Sequence, residues 1–346
     1  MKRLLNSVLA TGLASAAASV GLPTSSIASA QQLDRSSLGV VAGSHQPRFF
    51  IAAVDPRRRF VADAAGTDCS ANRIGEIRVA TLQNRPIVIL FANGKPVTLL
   101  LDTGAASTIL TPDAAHRIGA QPPRIDFPRQ MGGVGGGTFG TNEVELRSFS
   151  IGGVAISWRR VLVAPIKMSS SLGTLDGVLG TDVLGDFDID LDLPHYRMVF
   201  YTKQSAPDAA PNWSEPYARI AASRSLSDHL FFPVRLDGRR IDALFDTGSQ
   251  LSVLSSATAL ALGVSKAALA KDRAMITQGA AAERLSSHLH QFSQLEIGDE
   301  VVHHPELVVT DIKLSDADLV LGINFLITRR VWFSYGSKQI FLSRRN

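Results

Sequence analysis

Leu99-Leu100-Leu101-Asp102-Thr103-Gly104-Ala105-Ala106-Ser107-Thr108 is an apolar run that stops at a carboxylate, a hydroxyl and a glycine. The pattern returns 144 residues later as Ala243-Leu244-Phe245-Asp246-Thr247-Gly248-Ser249-Gln250-Leu251-Ser252. Asp, Thr and Gly are ordinary turn residues, so one copy alone reads as a strand end. The surroundings repeat too. Ile87 to Phe91, Asn93-Gly94 and Val97 to Leu101 answer Leu230 to Leu236, Asp237-Gly238 and Ile241 to Phe245. Asn-Gly and Asp-Gly between apolar runs are strong hairpin signals. After each aspartate comes a helix-like stretch ending in glycine, Pro112 to Gly119 and Ala257 to Gly263. Ile151-Gly152-Gly153 answers Ile297-Gly298-Asp299, and Asp176-Gly177-Val178-Leu179-Gly180 answers Asp318-Leu319-Val320-Leu321-Gly322. Near-constant offsets over four features mark an internal duplication.

These paired apolar-Asp-Thr-Gly and apolar-apolar-Gly stretches resemble the aspartic peptidases, of the retropepsin-like and pepsin-like group. The resemblance covers the chain from about Glu76 to its end. It implies a mostly β fold of two homologous acid-protease-like β-barrel lobes, each giving one aspartate to a shared active-site cleft. Asp102 and Asp246 are then the catalytic pair. Two carboxyls within hydrogen-bond reach share one proton, because like charges that close do not both ionise readily. One takes a proton from water while the other donates to the scissile carbonyl. In pepsin such a pair titrates at about 1.5 and 4.7.

The flanking residues have supporting roles. Gly104 and Gly248 permit a turn and a close approach that a side chain would block. By resemblance, Thr103 and Thr247 hydrogen-bond across the lobe interface. Ser249 supplies the hydroxyl that bonds the catalytic carboxyl in many pepsin-like enzymes, and Ala105 lacks it. One missing donor implies a less acidic optimum than pepsin's. Val178-Leu179-Gly180 and Val320-Leu321-Gly322 are expected to pack behind the aspartate loops. Gly136, Gly137, Thr138 and Phe139 belong to a glycine-rich stretch, 131 to 140, placed where a substrate-binding flap would lie. The plain alternative is a hairpin without substrate contact. Gln278 to Arg284 is the matching loop of the second copy.

The chain has 346 residues, 45% of them apolar, with a formal charge of +4. That suits a packed core, and the small basic excess has no aromatic interleaving of the kind that nucleic-acid binding uses. Lys2-Arg3, the alanine-rich stretch Leu4 to Leu22 and Ala28-Ser29-Ala30 read as a signal peptide cleaved near Ala30, hence a periplasmic or secreted protein. An uncleaved anchor is the alternative, weakened by Asn6, Thr11, Gly12, Ser15 and Ser19. No stable membrane insertion is expected after cleavage. Cys69 is the sole cysteine, so no internal disulfide forms.

The expected order is therefore a signal peptide over 1–30, a flexible lead-in or inhibitory pro-segment over 31–75, lobe one over 76–203, a proline-containing linker over 204–216 and lobe two over 217–346. Arg57-Arg58-Arg59 is the candidate counter-ion of a pro-segment. Both lobes in one chain imply a monomer with intramolecular pairing. No cofactor and no metal are expected. His288, His290, His303 and His304 read as strand or surface histidines. The G-x-G-x-x-G match at Gly135 to Gly140 precedes a strand-like stretch and so lacks a dinucleotide-binding context. Trp158, Trp213 and Trp332 read as packing residues. The leading functional expectation is an exported aspartic endopeptidase acting on polypeptides. The competing one is a non-catalytic peptide-binding protein with the same bilobal fold.

Overall fold

The computed structural model describes residues 73–123, 129–132, 138–157, 160–166, 169–170, 173–204, 210–278, 284–312, 314 and 317–344. The expected signal peptide, Cys69, Arg57-Arg58-Arg59, Gly136, Gly137 and Trp158 lie outside the described residues.

The protein is mostly β. Each copy of the duplication forms a 10-stranded sheet, and the two sheets have the same strand order. In lobe one the hairpin Arg85–Ala92 and Lys95–Leu101 pairs Ile87 with Leu100. In lobe two Leu230–Leu236 and Arg239–Phe245 pairs Phe231 with Leu244. Both hairpins turn on two successive residues with positive φ, Asn93 (51°) and Gly94 (75°) in one, Asp237 (49°) and Gly238 (77°) in the other. That geometry matches the twist of the flanking strands and explains why Asn-Gly and Asp-Gly stand there. The turn side chains do a second job. Asn93 Oδ1 accepts the amides of Arg147 and Ser148, and Asp237 Oδ1 those of Ser293 and Gln294.

The short helices follow from their end residues. Thr111 accepts the Ala114 amide and Pro112 opens the turn of Pro112–Ile118, which closes on Gly119 at φ 67°. Ser255 likewise caps Ser256–Ala261 through the Thr258 amide. Leu99, Leu101, Leu179, Ala243, Phe245 and Leu321 belong to one continuous buried core that runs through both lobes.

A third sheet joins the lobes. Its six strands run in the order Arg73–Arg78, Arg197–Tyr201, Asp188–Asp192, Arg330–Ser334, Gln339–Ser343 and Tyr217–Ala221. Each lobe gives three strands, and the central pair matches Asp190 with Trp332. The first strand begins at Arg73, inside the expected lead-in. It is an edge strand with no fully buried residue, so it carries little apolar alternation for sequence reading to detect. The described end of the expected linker, 210–216, is also tied down. Arg330 makes two bonds to the Asp190 carboxylate (2.8 and 2.6 Å), reaches Glu215 at 3.0 Å and lies 4.5 Å from the Trp213 ring.

Candidate active site

Each aspartate ends the return strand of its hairpin. The Asp102 amide donates to the Leu179 carbonyl (3.1 Å), and the Asp246 amide to that of Leu321 (3.0 Å). The strands Gly177–Leu179 and Leu319–Leu321 pair in parallel with the strands that carry the aspartates. Gly180 and Gly322 follow them. A Cβ on Gly180 would press on the Ser107 backbone, and one on Gly322 on that of Leu251. Only glycine lets these strands pass so closely behind the aspartate loops.

Thr103 and Thr247 lock the loops across the lobes. The Thr103 hydroxyl donates to the Phe245 carbonyl (2.7 Å) and accepts the Thr247 amide (3.1 Å). The Thr247 hydroxyl donates to the Leu101 carbonyl (2.7 Å) and accepts the Thr103 amide (3.1 Å). This grip brings Asp102 and Asp246 together, and both are buried. Gly104 lies against the Asp246 carboxyl and Gly248 against that of Asp102, so close that a Cβ on either would overlap it.

Burial raises the pKa of both carboxyls. Asp102 is pushed well above the usual carboxylate range, first by burial, then by the charge of Asp246 and by the hydrogen bond the two carboxyls share. Asp246 is raised by burial and held back by its bond to Asp102 and by the amides of Gly248 (2.8 Å) and Ser249 (3.1 Å) on its Oδ1. Asp102 Oδ1 accepts the Gly104 amide at 3.0 Å, while its buried Oδ2 has no donor facing it.

The Ser249 hydroxyl departs from expectation. It donates to the Leu251 carbonyl (2.8 Å), and only the Ser249 amide reaches Asp246. The neighbouring carbonyl captures the short side chain, so neither aspartate receives the hydroxyl bond that the resemblance implies.

Thr138 is exposed in the strand Thr138–Glu145, which pairs with Arg129–Gly132, and Phe139 lies in the same strand. Arg273–Gln278 and Arg284–Gln291 form the matching hairpin of lobe two. His288 and His290 lie on that hairpin, and His290 bonds Asp272 at 2.6 Å. Among the described residues no group of three potential metal ligands occurs, and no helix is long and apolar enough to cross a membrane.

Two residues near the pair escaped sequence reading. Arg85 and His229 each stand 17 residues before their aspartate. Continuing the hairpin registers places Arg85 opposite Asp102 and His229 opposite Asp246. Both side chains are buried. Burial lowers the Arg85 pKa while the Asp102 charge opposes that shift. The shared spacing was the available signal.

Behind the loops a second polar pair also repeats. Asp182 accepts the amide (2.8 Å) and hydroxyl (2.7 Å) of Thr108, and Thr108 in turn accepts the Gly180 amide. In lobe two Ser252 and Asn324 hold the same places, with Ser252 accepting the Gly322 amide. Burial raises the Asp182 pKa from 3.8 to about 6. The folded state therefore binds the proton more tightly than the unfolded chain. This group favours folding below about pH 4 and loses that contribution as pH rises to about 6. Two pKa units correspond to about 3 kcal/mol. Asp182→Asn, which copies lobe two, is expected to raise stability by about 1–2 kcal/mol at pH 7.5, since the new amide N–H groups offset part of the gain. At pH 4 it is expected to change little. Urea midpoints at the two pH values check this, and equal destabilisation at both would overturn it.

The aspartyl protease family model matches the chain twice, over residues 87–183 and 232–325. The chain belongs to that family. Among solved structures it is similar to the aspartic proteinase from Irpex lacteus, at 12% identity and a TM-score of 0.44, covering 79% of this chain and 97% of that one. It is also similar to Basic 7S globulin from soybean, at 12% identity and a TM-score of 0.43, covering 78% and 94%.

Proposed function

We propose that this protein is an exported aspartic endopeptidase that hydrolyses peptide bonds with a water activated by Asp102 and Asp246. The observation that carries the reading is the pair of buried carboxyls, each packed on the other lobe's glycine and sharing a hydrogen bond. A structural role alone gives no reason to bury two acids together, since that opposes folding at neutral pH.

The donors suggest a division of labour. Asp246 receives two amide bonds on one oxygen and better tolerates a negative charge. Asp102 Oδ2 receives no N–H or hydroxyl donor, so Asp102 keeps the shared proton. Asp246 then takes a proton from water as the water oxygen bonds to the scissile carbonyl carbon, and Asp102 gives its proton to the carbonyl oxygen. In the collapse of the resulting diol the C–N bond breaks. The amine nitrogen takes the proton from Asp246, and Asp102 recovers one from the diol hydroxyl.

The substrate class is polypeptide, and the hairpin around Thr138 is the proposed flap. Residues 1–30 support export to a periplasm or the exterior, where the chain acts as a monomer because it holds both aspartates. Incubation with a denatured protein from pH 3 to 8, with fragments read by mass spectrometry, tests the reading. Cleavage blocked by a pepstatin-like transition-state mimic is the expected result. Because neither aspartate receives a hydroxyl bond, the optimum is expected to be less acidic than pepsin's. A maximum near pH 2 would contradict the site described here. Retention of peptide without cleavage would favour the binding-protein alternative.

A further inference from the structure

We propose that His229 is a positioning residue that holds Gly104 from the opposite lobe, and through the Gly104 amide the Asp102 carboxyl. The proposal rests on the reading of Asp102 as half of a catalytic pair.

His229 is 1% exposed. Its Nε2 lies 3.0 Å from the Gly104 carbonyl oxygen, and its Nδ1 lies 2.9 Å from the Ser227 hydroxyl. A carbonyl can only accept, so Nε2 carries the hydrogen, and in the neutral ring Nδ1 accepts from Ser227. The ring is held from both ends. Its loop closes on itself as the Ser225 hydroxyl accepts the His229 amide (3.2 Å) and lies 3.0 Å from the Ser227 hydroxyl. The same loop docks on lobe one a second time, through the Thr181 hydroxyl on the Ser227 carbonyl (2.7 Å).

The carbonyl that His229 contacts belongs to the peptide group whose N–H is that of Ala105. That N–H lies 3.3 Å from the Asp102 backbone carbonyl, and the Gly104 N–H donates to Asp102 Oδ1 at 3.0 Å. Fixing the Gly104 carbonyl therefore fixes the turn whose amide holds the Asp102 carboxyl. His229 thus acts on Asp102 through Gly104, from the lobe that carries Asp246. Arg85 holds the equivalent place in lobe one. Its buried Nε has no hydrogen-bond partner, and the Asp102 charge raises its pKa against the effect of burial. The two lobes thus fill this position differently, which distinguishes the two halves of an otherwise repeated site. Asp228, next to His229 on the loop, is ion-paired with Arg224, and Asp246 lies opposite His229 when the hairpin register is continued.

The test compares full-length wild type, His229→Gln, His229→Leu and Ser227→Ala. Gln can present an N–H donor near the position of Nε2, and Leu cannot. Two readouts are taken, the pH titration of the Asp102 carboxyl by carbon-13 NMR, assigned with Asp102→Asn, and kcat with KM on a peptide substrate. In His229→Leu the Asp102 titration is expected to move up by about 0.3 pH unit, because a loosened Gly104 amide stabilises the carboxylate less. Its kcat is expected to fall about tenfold with KM within twofold, as loosened positioning implies. His229→Gln should stay near wild type. If His229→Leu does not fold, Ser227→Ala decides, with an upward shift of about half that size. An unshifted titration in the decisive variant, or equal shifts in His229→Gln and His229→Leu, would overturn the proposal. A shifted titration in a protein that cleaves nothing would uphold His229's role and discard the peptidase reading.

Discussion

Asp102→Asn and Asp246→Asn are each expected to lower kcat/KM on a peptide substrate by about 10³–10⁴-fold, and the double variant little further. Positioned acid–base catalysis supplies factors of this size. The carboxyls work as a unit around one proton, so losing either removes the whole device, and the losses do not add. Stability should move the other way. Both aspartates have pKa values raised by burial. A raised carboxyl favours folding at low pH and withdraws that support as pH climbs through the ordinary carboxylate range. Asparagine cannot ionise, and its amide can donate to the remaining carboxylate. At pH 7 each single variant should therefore unfold at a higher urea concentration than wild type while cleaving far less. This pairing separates loss of chemistry from loss of fold, and it is the exchange expected where a site is kept at the expense of stability. Wild-type cleavage by either variant would remove Asp102 and Asp246 from the mechanism.

Legibility in the sequence followed the range of the interactions. The two hairpins could be read because their turns need positive φ, and Asn-Gly and Asp-Gly announce that need within two residues. The helices Pro112–Ile118 and Ser256–Ala261 could be read in outline from glycines one turn or more after their caps. The duplication gave the grip of Thr103 and Thr247 a partner to be sought. The shared sheet could not be read, since Asp190 opposite Trp332 is a pairing across the whole repeat with no local signature. The Ser249 hydroxyl was misread because two acceptors compete for it, and it donates to the Leu251 carbonyl. Arg85 and His229 were overlooked although their spacing repeats, because a basic residue at a strand start looks solvated until the opposite strand buries it.

Gly104→Ala and Gly248→Ala are expected to abolish cleavage and to destabilise the protein by about 3 kcal/mol each. The usual argument for glycine in a turn is backbone freedom, and neither residue has a positive φ. The constraint is space. A methyl on Gly104 would occupy the volume of the Asp246 carboxyl, and one on Gly248 that of Asp102. The carboxyls cannot yield easily, because Asp246 is held by the Gly248 and Ser249 amides and Asp102 by the Gly104 amide. The lobes cannot part easily either, since four hydrogen bonds through Thr103 and Thr247 cross at that level. Overpacking in such a place costs about 1–3 kcal/mol, and breaking part of the threonine grip adds to it. Gly94→Ala separates this cause from backbone strain. Gly94 has φ 75° and open space around it, so its variant should lose about 1 kcal/mol and keep full activity. Urea midpoints and cleavage rates for the three variants decide the matter. If Gly104→Ala behaves like Gly94→Ala, the two aspartates do not meet as closely as their glycines require, and the shared proton has no seat.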